Sequence, residues 1–280
     1  MTYFNCNGKL LPSDSLVFGP DNRAVRYGEG LFETFKCING NLILLDEHFS
    51  RLWKGLQLFQ FEIPRLFTPD TLQKQVLDLL QKNRHTNSRI RINVTRGNGG
   101  LYEFNNTLHY TIQSWEFSYD DQLNENGLQA GIYRDVKKMT DSVANCKHNN
   151  FLPYSMGALF AKKNKYNDAI ILNNYDRICE STIANVFLIK NNIIYTPSLS
   201  EGCVAGIIRK QIIRLLPDFP ISVEETSITQ AMLLDADEVF FTNSIYNIRW
   251  LSAIENKTYK NVLVKEIYAW LLQTNPVVFC

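Results

Sequence analysis

Long apolar runs, paired cysteines and an excess of either charge are all missing from this 280-residue sequence. No run of about 18 apolar residues occurs, so a transmembrane helix is not expected. The six cysteines include no CxxC pair, which is typical of reduced thiols in a cytosolic protein and not of a disulfide frame or a zinc site. The 29 Lys and Arg residues nearly balance 28 Asp and Glu, so the charge predicts binding neither to nucleic acid nor to an anionic membrane.

Common catalytic patterns are missing as well. There is no GxxxxGK[ST] loop for a nucleotide phosphate and no HExxH pair, and with only four histidines a His-rich metal site is not expected. The glycine-rich residues 97–100 follow a predicted strand but open no convincing helix, so they are interpreted as a loop. The first ten residues lack the basic and apolar regions of a secretory signal, and a cytoplasmic location is therefore expected.

The order of helical and strand patterns predicts the fold class. Hydrophobic residues make up 45% of the chain, which is enough for one large core or two smaller ones. Strands and helices are mixed without strict βαβ alternation, which predicts an α+β (mixed α/β) protein of two domains. The polar, aperiodic stretch 118–127 is the best candidate for a linker. We therefore expect a small N-terminal α/β domain over residues 1–117 and a larger C-terminal domain over residues 128–280.

Turn and cap signals predict several elements. Asn39 and Gly40 predict a hairpin turn between strands at 31–38 and 42–45, and Asp46 is expected to cap the helix that follows. Thr68 and Pro69 are expected to open a second helix that runs to about residue 83. The other predicted strands span 89–95, 108–117, 128–136, 168–172, 183–189, 193–196, 221–224 and 238–241. The other predicted helices span 150–165, 206–216, 229–234 and 262–272.

Six short motifs follow one another along most of the chain. They are Arg26–Glu33, His48–Leu52, Lys147–Asn150, Glu180–Phe187, Tyr195–Pro197 and Gly202–Arg209. In this order and at this spacing they resemble the fold type IV, or class IV, enzymes that depend on pyridoxal 5′-phosphate (PLP). That family includes branched-chain and D-amino-acid aminotransferases and 4-amino-4-deoxychorismate lyase. The resemblance implies the family's two-domain fold, with the cofactor between the domains.

The resemblance also implies roles for three charged residues. Lys147 would form a Schiff base with PLP, and its freed amine would then move the substrate's α-proton as general acid and base. Glu180 would lie against the pyridine nitrogen and keep it protonated, although a buried carboxylate in an apolar region needs a cationic partner. Arg51 offers a planar fork for the phosphate. Taken alone, these would be interpreted as a surface lysine, a strand-end glutamate and a solvated helix arginine.

Further cofactor contacts are implied near the predicted helix at 206–216. The free N–H groups at a helix start bind anions well, and the family holds phosphate there through its main chain. A second family loop adds hydroxyl and main-chain donors after the strand at 238–241, and one aliphatic position backs the ring, although plain core packing explains that position nearly as well. The residues that match these positions are Val204, Gly206, Ile207, Ile208, Thr242 and Ser244.

The residues that distinguish the family's reactions give a mixed result. Thr34 and Leu152 replace a Gly and a Tyr of branched-chain enzymes. The Phe-Glu-Thr run, the Lys-His start and the short length more closely resemble the lyase and D-amino-acid branches, and in the lyase a Thr at the Thr34 position assists elimination. Against the lyase, its arginine is replaced by Leu101. Arg91 matches the arginine that helps to hold the substrate carboxylate in branched-chain enzymes.

Arg89 and Arg96 are alternatives to Arg91, but at most two of the three can face one pocket. We expect a PLP-dependent aminotransferase that moves the amino group of a small amino acid, of branched-chain or D type, to a 2-keto acid. The lyase, which forms p-aminobenzoate and pyruvate, is the first alternative, and a catalytically idle relative of the fold is the second. The expected ligands are small amino and keto acids, and the resemblance implies a homodimer.

Overall fold

The structure is a computed structural model that describes residues 1–102, 106–118 and 122–279. It divides into two compact units, Met1–Tyr119 with Cys146–Asn150, and Asp120–Asn145 with Phe151–Cys280. Both units contain strands and helices, so the predicted mixed α/β class is confirmed. The predicted linker at 118–127 falls partly on residues 119–121, which lie outside the described residues. No helix in the described ranges is long and apolar enough to cross a membrane.

A six-stranded sheet forms the centre of the first unit. Its strands are β1 (Tyr3–Cys6), β2 (Lys9–Pro12), β3 (Leu31–Ile38), β4 (Asn41–Leu42), β5 (Ser88–Arg96) and β6 (Leu108–Glu116). They pair in the order β2-β1-β6-β5-β3-β4, and every pair is antiparallel. In β3 the side chains alternate between the two faces of the sheet, so Glu33 and Phe35 point to one face while Phe32 and Thr34 point to the other.

The hairpin between β3 and β4 was predicted correctly, but its second strand was not. Asn39 and Gly40 have φ angles of 49° and 79°, the left-handed conformation at both central positions that a tight hairpin turn requires. The pairing ends after Leu42, because a helix begins only three residues later. The predicted strand at 42–45 is therefore too long.

Three helices complete the first unit: α1 (Arg23–Tyr27), α2 (Leu45–Leu58) and α3 (Pro69–Asn83). The start of α3 is as predicted, since the Thr68 side chain accepts a hydrogen bond from the Thr71 N–H and Pro69 is the first helical residue. The predicted cap of α2 is wrong. Leu44, in a left-handed conformation, precedes that helix, and Asp46 lies inside its first turn, where a negative charge still favours the helix dipole.

The segment Cys146–Asn150 belongs to the first unit, whereas the sequence placed it in the C-terminal domain. The Phe32 N–H donates to the Lys147 carbonyl oxygen at 2.8 Å, and the Asn149 N–H donates to the Gly30 carbonyl oxygen at 2.9 Å. The pairing is possible because β4 bonds only to the end of β3 and leaves the edge at Leu31 open. These main-chain bonds fix Lys147 beside the first residues of β3.

A nine-stranded sheet forms the centre of the second unit, in the order β12-β11-β10-β13-β14-β7-β8-β9, with β15 paired to β14. The strands are β7 (Leu128–Lys138), β8 (Asp168–Asn173), β9 (Ile178–Ser181), β10 (Asn185–Lys190), β11 (Ile193–Pro197), β12 (Ser222–Thr226), β13 (Glu238–Asn243), β14 (Asn247–Ile254) and β15 (Lys257–Thr258). β9, which is only four residues long, was not predicted. Two predicted strand boundaries in this sheet also differ from the structure. β10 starts at Asn185 and not at residue 183, and Thr242 lies within β13, not after it.

Four helices of the second unit lie close to their predicted positions, and a fifth, Pro276–Phe279, was not predicted. The helices are α4 (Leu152–Lys163), α5 (Ile207–Leu215), α6 (Gln230–Asp235), α7 (Val262–Thr274) and α8 (Pro276–Phe279), with 3-10 turns at Leu199–Glu201 and Leu216–Asp218. Thr229 caps α6 by accepting a hydrogen bond from the Met232 N–H. Buried apolar side chains from β7, β8, β10, β13 and β14 form one cluster, which holds the centre of this sheet rigid.

Candidate active site

In the first unit, Glu33 joins β3 to α2 through a buried ionic group. The Arg51 Nε and one terminal guanidinium nitrogen donate to the two oxygens of Glu33 at 2.8 and 2.6 Å. The Nδ1 atom of His48 lies 2.7 Å from Oε2 of the same carboxylate. Since His48 and Arg51 are three residues apart on α2, both reach the same partner. Glu33 and His48 are each 1% exposed, so the Arg51 guanidinium is held in a fixed plane.

The charges in this group stabilise one another. Burial alone would raise the pKa of Glu33, but the attraction and hydrogen bonds of Arg51 and the hydrogen bond of His48 outweigh it and lower that pKa to about 2. Burial is the main reason that the pKa of His48 is lowered. Glu33 raises this pKa, but the positive charges of Arg51 and Lys147 lower it further. Arg51 and Lys147 therefore both favour the neutral form of the same buried imidazole.

Two cations lie over the ring of Phe32 on the opposite face of β3. The Lys147 Nζ is 4.6 Å from the ring centroid and the Arg91 Cζ is 3.9 Å from it. Thr34 is half-buried, two residues further along β3, and is directly opposite Arg91 in the antiparallel register. The structure thus brings together three of the predicted residues of this unit: Lys147, Arg91 and Thr34.

The two other arginines considered for the substrate carboxylate have different surroundings. Arg96 is 7% exposed, and its guanidinium donates to Glu29, to the Phe59 carbonyl oxygen and, at 2.7 Å, to the Asn106 Oδ1. It therefore ties several segments of the unit together. Arg89 is exposed, and its Cζ lies 5.5 Å from the ring centroid of Trp115. Of the three arginines, Arg91 is the one whose guanidinium lies over the same Phe32 ring as the Lys147 amine.

In the second unit, Glu180 is the centre of a buried polar group. It is the third residue of β9 and is 3% exposed. Its Oε1 atom accepts hydrogen bonds from the Lys138 Nζ at 2.5 Å and from the Tyr154 hydroxyl at 2.6 Å. Its Oε2 atom accepts one from the Val204 main-chain N–H at 3.0 Å. Lys138 is the cationic partner that a buried Glu180 was expected to need.

Burial and the carboxylate have opposite effects on the pKa of Lys138. Burial lowers it, but the negative charge of Glu180 outweighs that effect and the pKa is raised, so Lys138 stays charged at neutral pH. Burial and the same negative charge raise the pKa of Tyr154 well above its usual value, so the phenol keeps its proton and donates it to Oε1. The group therefore consists of one buried cation, one buried anion and one neutral donor.

The start of α5 offers main-chain donors. Gly206 precedes the helix without a side-chain cap, and the first N–H groups of any α-helix lack partners inside it. A Cβ on Gly206 would clash with the Asn185 Oδ1, so only glycine fits there. Thr242 is directly opposite Asn185 in the β10–β13 register, so the two side chains share one face of the sheet. The Thr242 hydroxyl is buried and has no partner among the residues that the structure describes.

The other predicted residues of this unit lie nearby in sequence. Val204 is half-buried, and its main-chain N–H, not only its side chain, takes part in the Glu180 group. Ile207 and Ile208 have buried side chains, which leaves the main chain as their polar contribution. Ser244 is half-buried in the turn after β13. Within the described ranges, no group of three or more His, Cys, Asp or Glu residues could hold a metal ion.

Sequence reasoning missed four partners of the predicted residues: Glu33, His48, Lys138 and Tyr154. Glu33 and His48 lie inside motifs that were noticed, but their pairing with Arg51 depends on how α2 packs on β3. Lys138 lies 42 residues from Glu180, and Tyr154 lies 26 residues from it. The only available signal was the general rule that a buried carboxylate needs a cation, and that rule does not say which lysine provides it.

Comparison with known proteins identifies a family. The family model described as amino-transferase class IV matches residues 30–254. D-alanine aminotransferase of Bacillus licheniformis is 26% identical over 255 residues, covering 90% of this chain and 88% of that enzyme. A putative branched-chain-amino-acid aminotransferase of Methanocaldococcus jannaschii is 28% identical, with 93% and 91% covered. Aminodeoxychorismate lyase of Vibrio harveyi is 29% identical, with 88% and 91% covered.

Solved structures agree with this result. The branched-chain aminotransferase of Thermoproteus uzoniensis, solved with norvaline, matches with a TM-score of 0.85 and 22% identity over 96% of this chain and 93% of its own. A putative 4-amino-4-deoxychorismate lyase of Legionella pneumophila matches with a TM-score of 0.84 and 26% identity over 93% and 96%. The family resemblance and the expected fold are therefore confirmed.

Proposed function

The chain belongs to the class IV aminotransferases, and on this basis we propose that it is an aminotransferase that moves the amino group of a small amino acid to a 2-keto acid. PLP is the cofactor of this family, as the sequence led us to expect. When bound, PLP supplies an electrophilic carbonyl carbon and a ring that accepts the electron pair left when the substrate loses its α-proton. The chain's own residues hold and orient the reactants.

Each unit, taken by itself, offers donors suited to the phosphate of PLP. A phosphate dianion removed from water needs hydrogen bonds on all its oxygens. In the second unit, the candidate neutral donors are the N–H groups of Ile207 and Ile208 at the start of α5, the Thr242 hydroxyl, which has no partner among the described residues, and Ser244. Arg51, whose plane is set by Glu33, supplies the charge.

Lys147 is the proposed nucleophile and proton carrier. Its main chain is bonded to β3, while its amine lies over the Phe32 ring, so the side chain is aimed by the sheet and does not extend freely into water. Held in this way, the Lys147 amine would be the nucleophile for the carbonyl carbon of PLP, with loss of water, and when free it would accept the substrate's α-proton and return it.

The observation that carries the proposal is the buried ion pair of Glu180 and Lys138, which are 3% and 5% exposed. The desolvation cost of a buried ion pair can exceed the attraction between its charges, so we infer that this pair serves a ligand and not stability alone. A carboxylate kept in this state keeps a pyridine nitrogen protonated, and a protonated ring withdraws electrons more strongly. The Val204 N–H bonds to this carboxylate, and we propose that the Val204 side chain covers one side of the ring.

Arg91 is the proposed partner of the substrate carboxylate. Burial, and next the charge of Arg89, lower the pKa of Arg91, so an anion beside it is favoured. Arg91 shares the Phe32 ring with Lys147, so a carboxylate bound to it would hold the α-carbon near the lysine amine. As the sequence led us to expect, we propose a small amino acid of the branched-chain or D type as the amino donor.

Aminodeoxychorismate lyase activity is the second candidate, and Thr34 is the observation in its favour. Its hydroxyl lies on the face of β3 that carries Phe32, directly opposite Arg91, where it could move a proton during elimination. Leu101, which stands where the lyase has an arginine, is 56% exposed and offers no charge. The aminotransferase is therefore the first proposal.

The two activities are separated by what the protein releases. Incubated with an amino acid and no acceptor, an aminotransferase releases about one keto acid per site, and adding a 2-keto acid restores turnover. A lyase releases pyruvate and p-aminobenzoate from aminodeoxychorismate without an acceptor. The Lys147→Ala variant should do neither, and Lys137→Ala is the matched control. If the PLP-loaded protein does neither, it is the idle relative and the proposal is wrong.

A further inference from the structure

We propose that Lys138 and Tyr154 are positioning residues that occupy one oxygen of Glu180 and leave the other to receive the ring nitrogen of the cofactor. This inference rests on the proposed function and adds two residues to it. It comes from the hydrogen bonds inside the second unit, and all three residues are more than nine-tenths buried.

The two oxygens of Glu180 are not equivalent. A carboxylate oxygen has two lone pairs that accept hydrogen bonds. Oε1 accepts from the Lys138 Nζ and from the Tyr154 hydroxyl, so both of its lone pairs are used. Oε2 accepts only from the Val204 N–H among the described residues, so one of its lone pairs remains. A single additional donor can therefore be accommodated, and a protonated pyridine nitrogen carries one N–H.

The three donors also fix the direction of the carboxylate. Lys138 is the last residue of β7, Tyr154 lies in the first turn of α4, and Val204 lies in the loop before α5. Donors on three different elements prevent rotation of the Glu180 side chain about its last bond. The remaining lone pair of Oε2 is therefore held in one orientation before any ligand binds, which reduces the entropy lost on binding.

Lys138 also places a positive charge beside the Glu180 carboxylate. Without a cation, burial favours the protonated form of a carboxyl group, which would present an O–H donor to the ring. The other titratable groups that face Glu180 are the thiols of Cys179 on β9 and Cys203 beside Val204. Burial raises the pKa of Cys203 to about 12 and that of Cys179 well above its usual value, so neither is charged at neutral pH. Lys138 is thus the group that balances the charge of Glu180.

The test compares PLP with its 1-deaza analogue, in which a C–H replaces the ring nitrogen. Apoprotein of the full chain is loaded with each compound, and the two dissociation constants are measured by titration at pH 7. The ratio of the constants reports the ring-nitrogen contact, because every other contact is shared. The variants are Lys138→Met, Lys138→Arg and Tyr154→Phe. The control is Lys137→Met, which removes the neighbouring lysine whose ion pair with Asp176 lies on the surface.

Wild-type protein and Lys137→Met should prefer PLP strongly. In Lys138→Met the preference for PLP should fall about tenfold, which is the magnitude of one charge-assisted hydrogen bond. The preference should fall less in Tyr154→Phe, and Lys138→Arg should restore it. If Lys138→Met weakens the binding of PLP and of the 1-deaza analogue equally, the ratio of the two constants is unchanged. Lys138 would then have a merely structural role, and the inference would be overturned. If that variant does not fold, the ratio in Tyr154→Phe decides. Wild-type protein that binds neither compound would instead refute the proposed function.

Discussion

Replacing Glu33 by Gln should destabilise the first unit far more than its single altered atom suggests. The carboxylate is 1% exposed and has two hydrogen bonds from Arg51 and one contact with His48. A pKa lowered from 4.5 to about 2, at about 1.4 kcal/mol for each pH unit, corresponds to about 3 kcal/mol of stability at pH 7. Removing one partner of a buried ion pair costs about 3–5 kcal/mol, so both approaches agree.

Hydrogen exchange followed by mass spectrometry measures the effect in β3 and α2. A loss of about 3 kcal/mol corresponds to roughly hundredfold faster exchange at pH 7. Because the pKa of Glu33 is lowered on folding, its contribution is complete above pH 4.5 and is lost as the pH falls towards 2. After correction for intrinsic rates, the difference between wild type and variant should therefore shrink by about 1 kcal/mol at pH 4.

Glu62→Gln is the matched control for this substitution, since Glu62 is an exposed residue of the same unit. It should leave the exchange of β3 and α2 unchanged. If Glu33→Gln behaves like Glu62→Gln, or if the difference does not depend on pH below 4.5, the account of this ion pair is wrong.

Three further substitutions test the proposed contacts. Thr242→Val removes a buried hydroxyl that has no partner among the described residues, so it should leave the unfolding free energy unchanged or raise it by about 1 kcal/mol. The affinity for PLP, measured by titration, should fall about tenfold. Gly206→Ala forces a Cβ against Asn185 and should destabilise the protein by about 1–3 kcal/mol in urea unfolding and weaken PLP binding as well. Arg91→Lys keeps the charge but loses the planar fork, so KM for the amino acid should rise about tenfold with little change in the absorbance of bound PLP.

The parts of the fold that follow from local chemistry could be predicted from the sequence. Thr68 and Pro69 start α3 because a hydroxyl cap and a fixed φ act within one turn, and Asn39 and Gly40 turn the β3–β4 hairpin because both accept positive φ. The cap of α2 was missed because Leu44 adopts an unusual left-handed conformation. No local signal marks that choice.

The parts that depend on contacts distant in sequence could not be predicted. Lys147 lies in a late motif, yet its main chain bonds to β3, because that strand has an open edge that only the complete sheet reveals. Glu180 was placed at a strand end, and β9 was too short to recognise. Its partners Lys138 and Tyr154 come from other elements. Motif order indicated the chemistry, whereas packing determines which groups support it.

The attachment of PLP to Lys147 is the central claim, and reductive labelling tests it most directly. Protein loaded with PLP is treated with borohydride and digested, and the phosphopyridoxyl label is located by mass spectrometry. The account predicts one label per chain, on Lys147, and none in Lys147→Ala. A label on Lys138 or any other lysine, or undiminished labelling of the Lys147→Ala variant, would contradict it.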